Sequence, residues 1–218
     1  MSEFYSEQHR QLQNQYQTRP LADRLEQIIV ETQISEQHQA FIESRDFFFL
    51  TTVDHRGYPT CSYKGGNPGM VRGLDPQTLC FPNYDGNGMF LSLGNIQQHR
   101  KIGILFIDFE TPHRLRLHGD ALVQPDDPLL AEYPGASMIV RVNVSEVFVN
   151  CPRYIHRMQR IETSKYVPQA GIDTPVPQWK RIDAVQDVLP PCDAGLAEKM
   201  GGTITPEQYG AMLIDGNG

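Results

Sequence analysis

Four cations and one turn hold the anion chemistry available to this sequence. Lys64 ends a strand-like run and Arg72 stands at the next, while Arg114 and Arg116 alternate with leucines in RLRLHG, which puts both on one face of a third strand. Between them in the chain, Asn83, Asp85, Gly86, Asn87 and Gly88 crowd together residue types that tolerate or need positive φ. Such a turn at a helix entrance leaves backbone N–H groups free at the positive end of the helix dipole, which suits a phosphate. Neighbouring ammonium and guanidinium groups add charge-assisted hydrogen bonds. Spacing alone leaves two readings open, a phosphate site or a solvated sheet face whose arginines meet only water.

The elements that must position these residues lie between Phe47 and Ala121. Thr78 to Phe81 (TLCF) reads as a strand that Pro82 stops, because proline has no N–H for a ladder. After the turn, Met89, Leu91, Leu93 and Ile96 give helical spacing. Asp46–Val53 (DFFFLTTV) and Tyr58–Lys64 flank the turn Asp54–Gly57 and predict a hairpin. Lys101–Phe109 is nearly all apolar, as expected of a strand covered on both faces. Arg114–Val123 alternates, with Leu115, Leu117 and Gly119 opposed to Arg114, Arg116 and His118, and Ser137–Asn150 closes the series with alternating valines. Strands with short turns and few internal helices predict a small antiparallel barrel.

The flanks differ in character. Residues 1–45 form a helical extension: a Gln-rich start, then Leu21, Leu25, Ile28 and Ile29 on one helical face, then a short helix capped by Ser35 that carries Ala40, Phe41 and Ile42 inward. Residues 46–160 hold the barrel, ending in a short basic helix from Cys151 to Arg157 with Pro152 in its first turn. Residues 161–218 form a Pro-rich tail, expected to pack on the barrel, with the single tryptophan, Trp179, and a capping box at Thr205-Pro206-Glu207-Gln208.

Composition excludes some functions. A formal charge of −7 argues against nonspecific nucleic-acid binding. No apolar run approaches a membrane span or a signal peptide, so a soluble cytoplasmic protein is expected. Cys61, Cys80, Cys151 and Cys192 are far apart, with no C-x-x-C or H-E-x-x-H, so neither a metal site nor a disulfide framework is indicated. Cys61 and Cys80 are expected to be buried reduced thiols.

Seven stretches carry a resemblance: FFFLTTVD at 47–54, GYPTCSYKGG at 57–66, FPNYDGNG at 81–88, SLGNI at 92–96, LFIDF at 105–109, RLRLHG at 114–119 and NCPRYI at 150–155. Together they resemble the pyridoxamine 5′-phosphate oxidase-related FMN-binding split β-barrels over roughly residues 20–183, most specifically at 81–119. The resemblance implies a mainly β fold with flanking helices, a six-stranded antiparallel Greek-key split barrel. It also implies a homodimer with FMN at the subunit interface. By position, Lys64 and Arg72 resemble the basic strand residues that reach the flavin phosphate and ring, and Phe81-Pro82-Asn83-Tyr84 the strand end beside it. Arg114 falls where the oxidase has a glutamine reaching the partner chain's flavin. Gly86, Asn87, Gly88, Asn95 and Arg116 complete the implied cofactor-binding set.

Two departures limit the likeness. After Tyr84 the oxidase continues with serine, arginine and lysine to clamp the phosphate, where this chain has Asp85-Gly86-Asn87-Gly88. Phosphate binding then leans on Lys64, Arg72, Arg114 or Arg116 and the turn amides. The C-terminal tryptophan and arginine motif that reads pyridoxal phosphate is also missing, Trp179-Lys180-Arg181 being a poor substitute, so vitamin oxidation is not the expected activity. What remains implied is an FMN-dependent oxidoreductase acting on an unknown small molecule, with a nicotinamide as candidate electron donor. The alternatives are a non-catalytic FMN carrier or sensor, or a haem- or deazaflavin-binding relative. No side chain is assigned a catalytic role; Tyr63, Tyr84, His118 and His156 are candidates to line the substrate space.

Overall fold

The structure is a computed structural model that describes residues 4–216; residues 1–3 and 217–218, part of the two terminal segments considered above, lie outside the described residues. The chain divides into two compact units, Met1–Thr163 and Ser164–Gly218.

The first unit opens with helices whose starts follow from their caps. Ser6 caps α1 (Glu7–Gln15), and Pro20 sits in the first turn of α2 (Arg19–Ile29). The Ser35 hydroxyl accepts from the His38 N–H at 3.2 Å to start α3 (Glu36–Glu43), which buries Ile42.

The sheet contains β1 (Val30–Glu31), β2 (Phe47–Val53), β3 (Pro59–Gly65), β4 (Arg72–Asp75), β5 (Thr78–Tyr84), β6 (Lys101–Asp108), β7 (His113–Gln124) and β8 (Ala136–Val149). Its order is β3-β2-β6-β7-β8-β5-β4, with β1 also on β8, and every pairing is antiparallel. The mainly β fold with flanking helices is as expected, and the strand count is not. Eight strands replace six because two short ones, β1 and β4, attach to β8 and β5.

Alternation builds the core. Phe48, Leu50, Leu79, Phe81, Ile104, Phe106, Leu115, Leu117, Val140 and Val142 all point to one side and are buried together. The Phe48 and Phe81 rings meet at 5.0 Å, although β2 and β5 are far apart in the strand order, so the sheet rolls over on itself. Leu93 and Ile96 of α4 (Leu91–Gln98) enter the same core.

Four local expectations are corrected. β5 runs through Pro82 to Tyr84, because β4 pairs with β5 only as far as Cys80 and the missing donor is tolerated on an open side. β6 is fully covered on one face only, where Ile102, Ile104 and Phe106 are buried; on the other Ile107 is buried while Gly103 and Leu105 stay half-exposed. Cys80 is buried but Cys61 is exposed, as it falls on the outward side of β3. Residues 151–157 form no helix. The Met158 N–H instead donates to the Phe109 carbonyl at 3.0 Å and the Arg160 N–H to the Glu110 carboxylate at 3.2 Å, so the segment beyond β8 is tied to the β6–β7 turn.

The second unit is built from 3₁₀ turns, α5 (Leu196–Lys199) and α6 (Pro206–Ile214), which begins with the expected capping box at Thr205. Its internal staples use the basic residues after Trp179. Lys180 pairs with Asp193 at 2.9 Å, and Arg181 donates to the Gly202 carbonyl at 2.9 Å. Among the described residues no helix is long and apolar enough to cross a membrane.

Candidate functional site

Strand β3 divides its side chains between two faces, with Thr60, Ser62 and Lys64 on the inward side and Cys61 and Tyr63 on the outward side. Lys64 stands opposite core residue Phe48, half-buried, and among the described residues its ammonium has no acidic or hydrogen-bonding partner. Burial lowers its pKa from the ordinary lysine value. Two residues earlier on the same face, the Ser62 hydroxyl lies 3.2 Å from that of Ser92 in the first turn of α4. Phe90, in the left-handed region at φ 48°, stands at the N-cap of this helix without a side-chain cap bond. The amides of the first turn thus have no acceptor within the helix. An unpaired cation and an uncapped helix N-terminus, linked through Ser62 and Ser92, are suited to an anion.

The connection from β5 to α4 shapes the rim. Tyr84 ends β5 half-buried, and burial raises the pKa of its phenol. Gly88 turns the chain at φ 76°, and the Asn87 side-chain carbonyl accepts from the Met89 N–H at 3.1 Å. Met89, Phe90 and Leu91 then stand exposed beside the helix entrance.

Other residues singled out in the sequence lie elsewhere. Arg72 donates through Nε to the Tyr133 hydroxyl and through Nη1 to Glu132, both at 2.7 Å, and the Glu132 contact foremost raises its pKa. That cluster also contains Cys80, whose thiol burial pushes up in pKa. Arg114 donates to the Cys151 carbonyl and Arg116 to Asn150, each at 2.8 Å, on the outward face of β7. Lys64 and the three arginines therefore do not converge within one chain. Phe81 is core, Pro82 is buried, and Asn83 donates to the Ser137 hydroxyl at 3.1 Å. Gly86, Asn87 and Gly88 are exposed on the turn. Asn95 is buried, and its amide donates to the Thr52 and Thr60 hydroxyls at 3.0 and 3.2 Å.

The outward face of the sheet forms a separate surface. Phe47 stacks on Tyr63 at 5.4 Å and on Phe109 at 5.9 Å, Phe49 meets Tyr63 edge-on, and Leu105 lies across from Phe49. Farther along, His118 pairs with Glu146 at 2.6 Å. Tyr63 and His118 belong to this face, Tyr84 to the rim, and His156 to the exposed segment after β8.

Thr52, Thr60, Ser62 and Ser92 were missed by sequence reasoning. Their signal was the Thr60-x-Ser62-x-Lys64 alternation and the i, i+3 spacing of Ser92 and Asn95. Among the described residues no group of three or more His, Cys, Asp or Glu could hold a metal ion.

A family model described as "Pyridoxamine 5'-phosphate oxidase" matches residues 34–151, more than half of the chain. No curated protein sequence matches. Among solved structures, a putative pyridoxamine 5'-phosphate oxidase of Lactobacillus delbrueckii is 24% identical, with 54% of this chain and 95% of that chain covered and a TM-score of 0.44. HupZ of Group A Streptococcus is 20% identical, with 53% and 93% covered and a TM-score of 0.44. An FMN-binding protein of Syntrophomonas wolfei is 10% identical, with 64% and 97% covered and a TM-score of 0.42.

Proposed function

We propose, for a chain that belongs to the pyridoxamine 5′-phosphate oxidase family, that it is an FMN-binding oxidoreductase acting on a small molecule in the cytoplasm, with a nicotinamide as electron donor. The single observation that carries the cofactor reading is Lys64, a half-buried ammonium without an anionic partner, two residues along β3 from the Ser62 hydroxyl that meets the uncapped first turn of α4. These groups fit a phosphate monoester in charge and in donor type. FMN, when bound, supplies the redox chemistry. The chain's own part is to fix the phosphate through Lys64 and the α4 amides and to border the remaining space with Tyr84 and the 85–90 turn.

A homodimer belongs to the same proposal. The outward apolar face of Phe47, Phe49 and Leu105, half-exposed, and Tyr63, exposed, supports it, because a second copy would remove this surface from water. Arg114 and Arg116 flank that face and would approach the partner's flavin there.

The test is an absorbance spectrum of the purified chain, followed by parallel titrations with FMN and riboflavin. Flavin bands, or saturation at one FMN per chain with FMN preferred over riboflavin, support the reading. Equal or absent binding of both rejects it, and a Soret band would install haem instead. Hydride acceptance from NADH or NADPH separates the oxidoreductase from a passive FMN carrier.

A further inference from the structure

Asn95 stands where a cofactor ligand was expected, yet its side chain is turned away from the rim. Its amide nitrogen donates toward two hydroxyls, Thr52 at 3.0 Å and Thr60 at 3.2 Å, and these two hydroxyls lie 2.8 Å apart. Thr52 is buried to 1% exposure and Asn95 to 9%, while Thr60 on β3 is half-buried, so the Asn95–Thr52 bond is shielded from water and acts as a directional constraint. Ser62 and Ser92 add a second polar contact one turn nearer the start of α4. Asn95 and Ser92 thus bind α4 at two points along one rail of β3, Thr60-x-Ser62-x-Lys64, whose last residue is the unpaired cation.

A helix of eight residues without an N-terminal side-chain cap has little stability of its own. Leu93 and Ile96 bury it, but apolar contacts fix the depth of a helix better than its axial position. Directional bonds from Asn95 and Ser92 supply that missing constraint.

We propose that Asn95 is a positioning residue: through Thr52 and Thr60 it sets the axial position of α4 so that the first-turn amides and Lys64 address one anion. Thr52 and Thr60 act with it, and none of the three touches the anion. This inference rests on the anion reading of the Lys64 site.

The experiment compares Thr60→Val with Thr60→Ser in the full chain, with Asn95→Leu as a further variant. Two readouts are taken well below the unfolding temperature. One is the ratio of FMN to riboflavin affinity, which isolates the phosphate contribution. The other, free of any cofactor, is hydrogen exchange of the α4 amides Gly94 and His99 relative to those of β7 and β8. Thr60→Val is expected to lower the FMN-to-riboflavin ratio by about tenfold and to accelerate exchange in α4 alone, while Thr60→Ser restores both. An unchanged ratio and unchanged α4 exchange in Thr60→Val overturn the proposal, as does a uniform rise in exchange across the barrel, which marks a merely structural role. Loss of fold in Asn95→Leu leaves the threonine pair to decide. If the unaltered chain shows no preference for FMN over riboflavin, the cofactor reading fails and the anion half of the proposal falls with it. The exchange data then still decide whether Asn95 sets α4.

Discussion

The guanidinium carbon of Arg72 lies 4.3 Å from the ring centre of Tyr133, and its Nε donates to the hydroxyl of that same ring at 2.7 Å. With the Glu132 contact, this ties the 3₁₀ turn Pro128–Glu132 to β4. Arg72 is thus committed to the fold, and Arg72→Ala is expected to lower stability by about 1–3 kcal/mol while leaving FMN affinity unchanged. Urea denaturation paired with flavin titration checks this. Weaker flavin binding at an unchanged unfolding midpoint would return Arg72 to the cofactor site.

Lys64 carries the opposite commitment. Burial holds its folded-state pKa below the unfolded value, so between the two the unfolded chain binds more protons and stability rises with pH through that window. Lys64→Met removes the slope. The variant is expected to be more stable than the parent at neutral pH, with the difference shrinking as pH approaches about 10. Its affinity for FMN is expected to fall by about 1–3 kcal/mol, the worth of a charge-assisted hydrogen bond. Unfolding midpoints across the pH range and FMN titration give both quantities, and a parallel pH slope in the variant would assign the titration to another group.

Phe81 stood among the expected flavin contacts, but it is 2% exposed and meets Phe48 at 5.0 Å in the barrel core. Phe81→Leu is expected to cost about 1–2 kcal/mol of stability with FMN affinity retained, and Phe81→Ala about 3–5 kcal/mol. Guanidinium melts supply the energies. A flavin defect in a fully stable Phe81→Leu protein would contradict the core assignment.

On the outward face, Leu105→Arg puts a charge into the surface proposed for the second copy without touching the core. The expectation is a dimer dissociation constant raised by about 100-fold or more at an unchanged melting temperature of the monomer. Sedimentation across protein concentrations reads the difference, and a parent chain that is already monomeric would remove this face from the homodimer proposal.

The fold was legible where local signals agreed. The DFFFLTTV run, the Asp54 turn and the following strand pair in full register from Phe47 with Gly65 to Val53 with Pro59. Ser35 and Thr205 cap the helices they announce. The arginine positions were also right, since Arg114 and Arg116 share a face with His118. Their partners were not legible, because Tyr133 lies 61 residues from Arg72 and only the folded sheet brings them together. Asn95 illustrates the same limit. A motif shows that a polar side chain is needed at a position, and its direction depends on which strand the helix lands on. Cys61 failed more simply, since alternation puts every second residue of β3 outward whatever its polarity.

Strand β8 binds three partners, β7, β5 and β1, over residues Ala136–Val149. During synthesis on the ribosome, β1 and β5 emerge well before the strand that joins them, and β7 shortly before it. Their ladder groups stay open until the nascent chain has passed Val149, and the barrel can close only then. A stalled translation product ending before Ala136 would therefore carry the hydrophobic strands without their common partner, making it a substrate for chaperones and proteases rather than a smaller version of the domain.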